Sequence, residues 1–274
     1  MSAVAADWIP DDVDRLKASP SRVYDYLLGG GCNFSVDREW AEQAIRRMPW
    51  IRAAARSNRT FLRRAVAFCA GAGVRQFLDL GSGIPTAQSV HEIARRIDPE
   101  SRVVYVDNER VAVSHSELLL ADIKGTGIIE ADLCDVDYVL EHDTTRSLLD
   151  FDQPVALIIT AALYYVADPD LAVNTVKRYL AALAPGSYLV LSHATLGRHE
   201  QDAMKLSHVL EMTKSLTTSA TARSPEWILG LFDGLDIVEP GLVYTSNWRP
   251  EGPQSVDESP WQAAVLAAVG RKTP

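Results

Sequence analysis

The sequence predicts an α/β fold: a seven-stranded, mostly parallel sheet with helices on both faces, preceded by a helical N-terminal segment. Three observations carry that prediction. Five short runs are apolar throughout and alternate with helical patterns, as parallel strands buried on both faces do. Two further strand-like runs close the chain with only a polar loop between them. Residues before position 74 show helical patterning alone.

The elements follow in order. In residues 1–73, "WAEQAIRRM" and "RAAARSNRTFLRRAVAFCAGAG" carry apolar side chains at roughly helical spacing, among them Ala55, Phe61, Leu62, Ala65, Val66 and Cys69. Gly71 and Gly73 end the second of these helices. Ahead of them, "SRVYDYLLGGGCNFSVDRE" reads as a loop after a short helix. From residue 74 onward, "VRQFLDL" is the first strand and ends in Gly81-Ser82-Gly83. "TAQSVHEIARRI" is a helix with Thr86 as its N-cap. "SRVVYVDN" and "GIIEADL" are the next strands, each followed by a helical pattern. "PVALIITAALYYV" is a strand running into a turn, and "YLVLSHAT" is the fifth strand. Two helices, "HEQDAMKLSHVLEMTK" and "SPEWILGLF", separate it from the last two strands, "LDIVEPGLVY" and "WQAAVLAAVGRK". The segment 1–73 is expected to pack as a lid on the core formed by 74–274, the two making one compact unit.

Bulk properties narrow the function. The chain has 274 residues, 47% of them hydrophobic, and a net charge of −9 with its Lys and Arg scattered. Nucleic-acid binders show a basic balance or stripe, so nucleic acid is not an expected partner and a small molecule is. Cys32, Cys69 and Cys134 stand far apart with no C-x-x-C pair, which suggests no zinc site and suits a reducing cytoplasm. The N-terminus lacks a secretory pattern. The longest apolar stretch, Val155 to Ala167, is too short for a membrane span.

The richest motif is "QFLDLGSGIPT", a strand delivering a glycine turn into a helix. In open α/β sheets, ligands bind outside the carboxyl ends of the strands, near the switch in strand order. Gly81 and Gly83 let the backbone come close to a ligand, with Ser82 between them. Thr86 stands where a G-x-G-x-x-G pattern needs its third glycine, and Asp79 would repel a pyrophosphate. A carboxylate there suits a ligand carrying an ammonium and a sulfonium, which S-adenosylmethionine does. One unit later, "VVYVDN" ends in Asp107, placed to bond a ribose diol, with Asn108 beside it. The third strand ends in Asp132 and Leu133, suited to the adenine amine and ring. Three acids at three successive strand ends argue against coincidence. A seventh, antiparallel strand at the end of the chain also separates the class I methyltransferase arrangement from six-stranded dinucleotide-binding sheets.

The fourth strand ends in "TAALYYVADPD". Thr160 and Ala161 are expected beside the methionine part, Tyr164 near the methyl group, and Tyr165 in the core. N-P-P-Y and D-P-P-Y are absent, so methylation of nucleobase amines has no support. His193, at the end of the fifth strand, is a candidate general base, with a structural histidine as the competing reading.

With these residues in place, the chain resembles the bacterial S-adenosyl methyltransferase family formerly described as domain of unknown function 574. The resemblance covers nearly the whole chain. It rests on "SRVYDYLLGGGCNFSVDRE", "ARSNRTFLRRAV", "RQFLDLGSGIPT", "VVYVDN", "FDQPVALIITAALYYV" and "LAPGSYLVLSHAT". It implies a Rossmann-like class I methyltransferase fold with an added helical N-terminal segment, and S-adenosyl-L-methionine as cofactor. Relatives often carry Leu-His after the fourth strand where this chain has Leu163-Tyr164, so no histidine base is carried over to that position.

The expectation is a methyltransferase acting on a small molecule, with Tyr164 and His193 as candidate catalytic residues. Tyr24, Tyr26, Asn33, Asn58 and Arg59 are expected to complete the pocket from the N-terminal segment. A non-catalytic sensor or assembly subunit is the alternative; a nicotinamide oxidoreductase is disfavoured by Asp79 and the missing glycine. Tyr24 or Tyr26 is expected within contact of the Gly81 pocket.

Overall fold

The computed structural model describes residues 10, 13–85, 88–196, 200–252 and 264–273. Three helices come first: α1 (Pro20–Leu28), α2 (Ser35–Arg47) and α3 (Ile51–Gly71). The alternating part follows as β1 (Gln76–Leu80), α4 (Val90–Arg95), β2 (Arg102–Asp107), α5 (Arg110–Leu120), β3 (Thr126–Glu130), α6 (Val136–Glu141), α7 (Asp143–Leu148), β4 (Val155–Thr160), α8 (Pro169–Ala182) and β5 (Tyr188–Ala194). The chain then forms α9 (Glu200–Thr213), α10 (Pro225–Gly230), β6 (Leu235–Ile237), β7 (Val243–Tyr244) and β8 (Val265–Lys272).

The sheet order is β3-β2-β1-β4-β5-β8-β6, with β7 also on β8. Pairs from β3 through β5 are parallel, and β8 is antiparallel to β5, β6 and β7. The chain winds outward from β1 to β3 and returns to β4 on the other side of β1, so the order reverses between β1 and β4. A ligand crevice belongs there.

The sheet is mixed and has eight strands where seven were expected. The run "LDIVEPGLVY" is split because Pro240 has no N–H for a ladder and Gly241 turns the backbone at φ 86°. Both halves, β6 and β7, still pair with β8. The "SRVYDYLL" portion of the expected loop is α1, ended by Gly29 in the left-handed conformation (φ 87°). Ser89 caps α4, with Glu92 accepting from the Ser89 amide at 2.9 Å. Thr86, the expected cap, the linker "PEGPQSVDESP" beyond Gly252, and Trp261 to Ala263 at the expected start of the last strand lie outside the described residues.

Alternation on the central strands sorts the core into two layers. Leu78, Leu80, Val104, Leu157 and Leu189 meet α8 and α10 on one face. Phe77, Val103, Ala156, Ile158 and Val190 meet α3 and α4 on the other. The period of two puts Asp79 on the α3 face with Phe77. Buried Trp248 packs edge-on against Phe61 (5.4 Å) and Phe68 (5.9 Å) of α3. Helices α1, α2 and α9 share a separate cluster around Leu27, Trp40 and Val209. Among the described residues, no helix is long and apolar enough to cross a membrane.

Candidate functional site

A cavity of about 400 Å³ opens over the carboxyl ends of β1 to β4. Its floor is made where strands end. Gly81 (φ 68°) and Gly83 (φ 67°) turn the chain sharply after β1. A β-carbon on Gly81 would collide with that of Ala162 after β4, so glycine is required both by conformation and by contact. The Gly81 and Ser82 amides donate to the Val106 carbonyl at 2.8 and 3.1 Å, tying the turn to β2.

Asp107 completes that tie. Its Oδ2 accepts from the Gly83 amide (2.7 Å) and its Oδ1 from the Glu109 amide (2.9 Å). Burial pushes its carboxyl up to about 6 against those bonds. Asp79 is different. It is 3% exposed, and its carboxylate makes no hydrogen bond among the described residues. Burial pushes it up to about 7, with Arg59 opposing and Asp107 adding to the shift. Arg59, from α3, shares the cavity wall, and its Nε is buried without a partner. The Ser82 hydroxyl is buried and unpaired as well. A small void of about 20 Å³ lies between Arg59, Asp79, Ser82 and Tyr105.

The rest of the floor is lined by other residues named from the sequence. Exposed Asn108 and Asp132, and Leu133, border the cavity, and Asp132 Oδ1 accepts from the Cys134 amide at 2.8 Å. Thr160 and Ala161 border it after β4. Ala161 holds a left-handed conformation (φ 55°) that its side chain disfavours. Its amide donates to Ser192 Oγ (3.0 Å), which donates in turn to Asn58 Oδ1 (2.7 Å). Asn58 Nδ2 donates to the Tyr24 hydroxyl (3.1 Å), which donates to the Ala55 carbonyl (3.0 Å). One chain of bonds therefore joins α1, α3, β5 and the strained turn after β4.

The N-terminal residues divide. Tyr24, Asn58 and Arg59 line the cavity. Tyr26 and Asn33 do not border it. The Tyr26 hydroxyl donates to Glu42 (2.7 Å), and its ring lies under Arg52 at 4.8 Å. Asn33 donates to Asp25 (2.8 Å) and to the Gly30 carbonyl (3.0 Å). The turn Gly29–Gly31 is folded around Asp25, whose carboxylate also accepts from the Cys32 amide at 2.9 Å. A β-carbon on Gly30 would strike that carboxylate. The triplet is thus a helix stop built on a buried acid.

The candidate catalytic pair also divides. Tyr164 lines the cavity, and so does Tyr165, which was expected in the core. Their rings are 4.6 Å apart and tilted by 57°. Burial raises both phenols above their ordinary value. His193 is fully buried off the cavity wall, between the Tyr164 ring at 5.8 Å and the Trp227 ring at 5.4 Å. Its Nδ1 lies 2.8 Å from the Ala194 carbonyl and so carries the proton there. Burial pushes the imidazole down to about 4.

Sequence reasoning missed Arg22, which is 2% exposed. Its guanidinium meets Asp37 and Glu109, each at 2.9 Å, and donates to the carbonyls of Asp14 and Lys17. Glu109 also accepts from the Ala112 amide (2.9 Å) to cap α5. Arg22 and Glu109 both line the cavity, so the pair clamps α1 to the end of β2. The charge pattern of an amphipathic helix gave no warning, because a cation on a short helix ordinarily faces water.

The site can hold a ligand with an ammonium and a carboxylate at one end, against Asp79 and Arg59, and a hydroxylated, flat remainder along β2 and β3. The family model described as S-adenosyl methyltransferase matches residues 6–273. A candidate methyltransferase of known structure from Thermobifida fusca is 39% identical, with a TM-score of 0.90 over 98% of this chain and 100% of its own. A DUF574 family protein from Streptomyces avermitilis is 37% identical, with a TM-score of 0.89 over 93% of this chain and 98% of its own. No curated protein matches the chain in sequence.

Proposed function

The chain belongs to the S-adenosyl methyltransferase family and its cofactor is S-adenosylmethionine, and on that premise we propose that it methylates a small molecule. The sulfonium of that cofactor supplies a methyl carbon open to in-line attack by an oxygen, nitrogen or carbon nucleophile. The protein's own work is to bind, align the partners and exclude water. The observation that carries this reading is the pair of unmatched groups at the glycine turn, the Asp79 carboxylate and Arg59 Nε. Asp79 receives the ammonium of the amino-acid end, and Arg59 its carboxylate. Gly81, Ser82 and Gly83 bring backbone against the ligand. Asp107, already oriented by two amides, keeps lone pairs for the ribose diol, with Asn108 beside it. Asp132 and Leu133 flank the adenine. Thr160, Ala161 and Tyr164 border the methionine and methyl end, and Tyr24 and Asn58 hold that wall in register.

A sensor of the cofactor or of its demethylated product is the second reading. It is favoured by the withdrawal of His193 from the cavity wall. Calorimetry with S-adenosylmethionine, S-adenosylhomocysteine and NAD tests the premise: the first two should bind and NAD should not, and the reverse pattern would overturn the reading. Mass spectrometry of a broad bacterial metabolite extract incubated with protein and cofactor then separates enzyme from sensor. A new methylated species supports the enzyme; cofactor binding with no transfer favours the sensor.

A further inference from the structure

Ser19 occupies the N-cap of α1, where a serine hydroxyl ordinarily accepts from the free amides of the first turn. It makes no such bond. The residue is 1% exposed, borders the cavity, and its Oγ is buried with no hydrogen-bond partner. An unpaired buried hydroxyl is destabilising, and nothing in the local fold accounts for it. A ligand would.

The neighbours of Ser19 share its chemistry. The Thr217 amide donates to the Ala18 carbonyl (3.0 Å), which brings Thr217 and Thr218 beside Ser19 at the cavity wall. The Thr221 amide donates to the Tyr164 carbonyl (2.7 Å), which holds the same segment against Tyr164 and Tyr165. Hydroxyls and aromatic rings therefore stand together on this wall.

Its charges are engaged elsewhere. Arg22 is held by Asp37 and Glu109, Arg110 meets Glu130 at 3.2 Å, and Arg59 is taken by the cofactor's carboxylate in the reading above. Among the described residues the wall therefore offers an anionic acceptor no counter-ion. Among the described residues its one candidate base is the exposed carboxylate of Asp14 at the mouth, whose Oδ1 accepts from the Leu16 and Lys17 amides at 2.8 and 3.2 Å. The phenols of Tyr24, Tyr164 and Tyr165 are raised by burial, and His193 is off the wall.

Building on the methyltransferase reading above, we propose that this wall is the acceptor subsite and that it takes a small, uncharged heteroaromatic compound methylated on a ring nitrogen. Alcohols, phenols, thiols and alkylammonium groups must each lose a proton before they attack, and carboxylates and phosphates need a counter-ion. A weakly basic ring nitrogen presents its lone pair uncharged at neutral pH. That lone pair forms the new N–C bond while the C–S bonding pair returns to sulfur. The positive charge passes from sulfur to the ring, and a ring that bears an N–H then gives that proton to water. The rings of Tyr164 and Tyr165 at the wall suit the cation as it develops. The cavity, about 400 Å³ for donor and acceptor together, keeps the acceptor small.

The test uses the full chain saturated with S-adenosylhomocysteine, screened by ligand-observed NMR against heteroaromatic fragments balanced among uncharged, anionic and cationic members. Uncharged fragments should dominate the hits. Ser19→Ala deletes a hydroxyl that has no partner in the fold. It should leave the protein no less resistant to unfolding, keep S-adenosylhomocysteine affinity unchanged, and weaken those fragments about fivefold. The Thr217→Val, Thr218→Val double variant should act likewise from the rim. Predominantly anionic hits, hits indifferent to both variants, or no hits would overturn the subsite. Confirmed hits are then incubated with S-adenosylmethionine: N-methylation supports the proposal, whereas no transfer, or transfer only to oxygen or carbon, overturns it. Failure of the wild type to bind S-adenosylhomocysteine would instead sink the methyltransferase reading.

Discussion

The floor of the cavity and its N-terminal wall are assembled by different rules. On the floor, Gly81, Asp107, Asp132 and Thr160 each stand at or just beyond a strand end. Their neighbours in sequence place them, and the sheet order brings the strand ends together. On the wall, residues are placed by partners far along the chain. Arg22 reaches Asp37 and Glu109, 15 and 87 positions away, and Asn58 reaches Ser192 across 134. Damage to the floor should therefore fall on the ligand, and damage to the wall on fold and ligand together.

Replacing Arg22 is the harshest way to test that division. Arg22→Ala leaves the fully buried Asp37 and mostly buried Glu109 without their cation. Breaking a buried pair from one side typically costs about 3–5 kcal/mol, and urea unfolding should register a loss of that order. Calorimetry on the protein that remains folded should also show weaker S-adenosylmethionine binding, because Glu109 donates its amide to Asp107. A loss under about 1 kcal/mol, the level of an exposed pair, would mean that packing alone holds the wall.

Asp79 offers the matching test on the floor. Its folded value, about 7, lies above that of an unfolded carboxyl, near 4. In the ligand-free protein its stabilising contribution is complete below about 4 and is lost as pH rises toward about 7. A bound ammonium reverses the sense, because it prefers the ionised form. Cofactor affinity should be level above about pH 7.5 and fall toward tenfold per unit below 7. Asp107, at about 6, adds a second fall at lower pH. Arg59 from α3 and Tyr105 and Asp107 from β2 are the groups that face Asp79. Asp79→Asn should weaken binding by about 2 kcal/mol at pH 8, remove the first fall, and make the free protein more stable at that pH. Unchanged affinity across pH 6–8 in the wild type would show that Asp79 does not meet a cation.

The same division governs what could be read from the chain. The glycine turn and the strand-end acids were legible because a strand followed by a tight turn fixes where the next side chains go. The extra strand is hidden in the sequence because Pro240 and Gly241 break what looks like a single apolar run. Arg22 and Glu109 were invisible as a pair, since nothing local links positions 22 and 109. His193 was legible as a strand-end residue, but the Trp227 and Tyr164 rings that enclose it come from other elements. Tyr165 joins Tyr164 on the wall from the one 3₁₀ turn after Ala162, their rings 4.6 Å apart.

Tyr24 and Tyr26 give the finest test, since they lie two residues apart on one helix. Once "SRVYDYLL" is helical, their side chains point about 200° apart, so only one can face the cavity. That periodicity is present in the sequence, but it separates the two tyrosines only where the stretch is helical. The Tyr24 hydroxyl joins Asn58 to the Ala55 carbonyl, and through Asn58 it supports Ser192 and the Ala161 turn. Tyr24→Phe should therefore reduce both stability and cofactor affinity by about 1 kcal/mol each, the worth of a partly buried hydrogen bond. Tyr26→Phe loses a bond to the exposed Glu42 and keeps its ring under Arg52. It should change stability by about 0.5 kcal/mol or less and leave affinity untouched. Equal effects on affinity from the two substitutions would break the assignment of α1 as a one-faced wall, and a larger effect from Tyr26→Phe would reverse it.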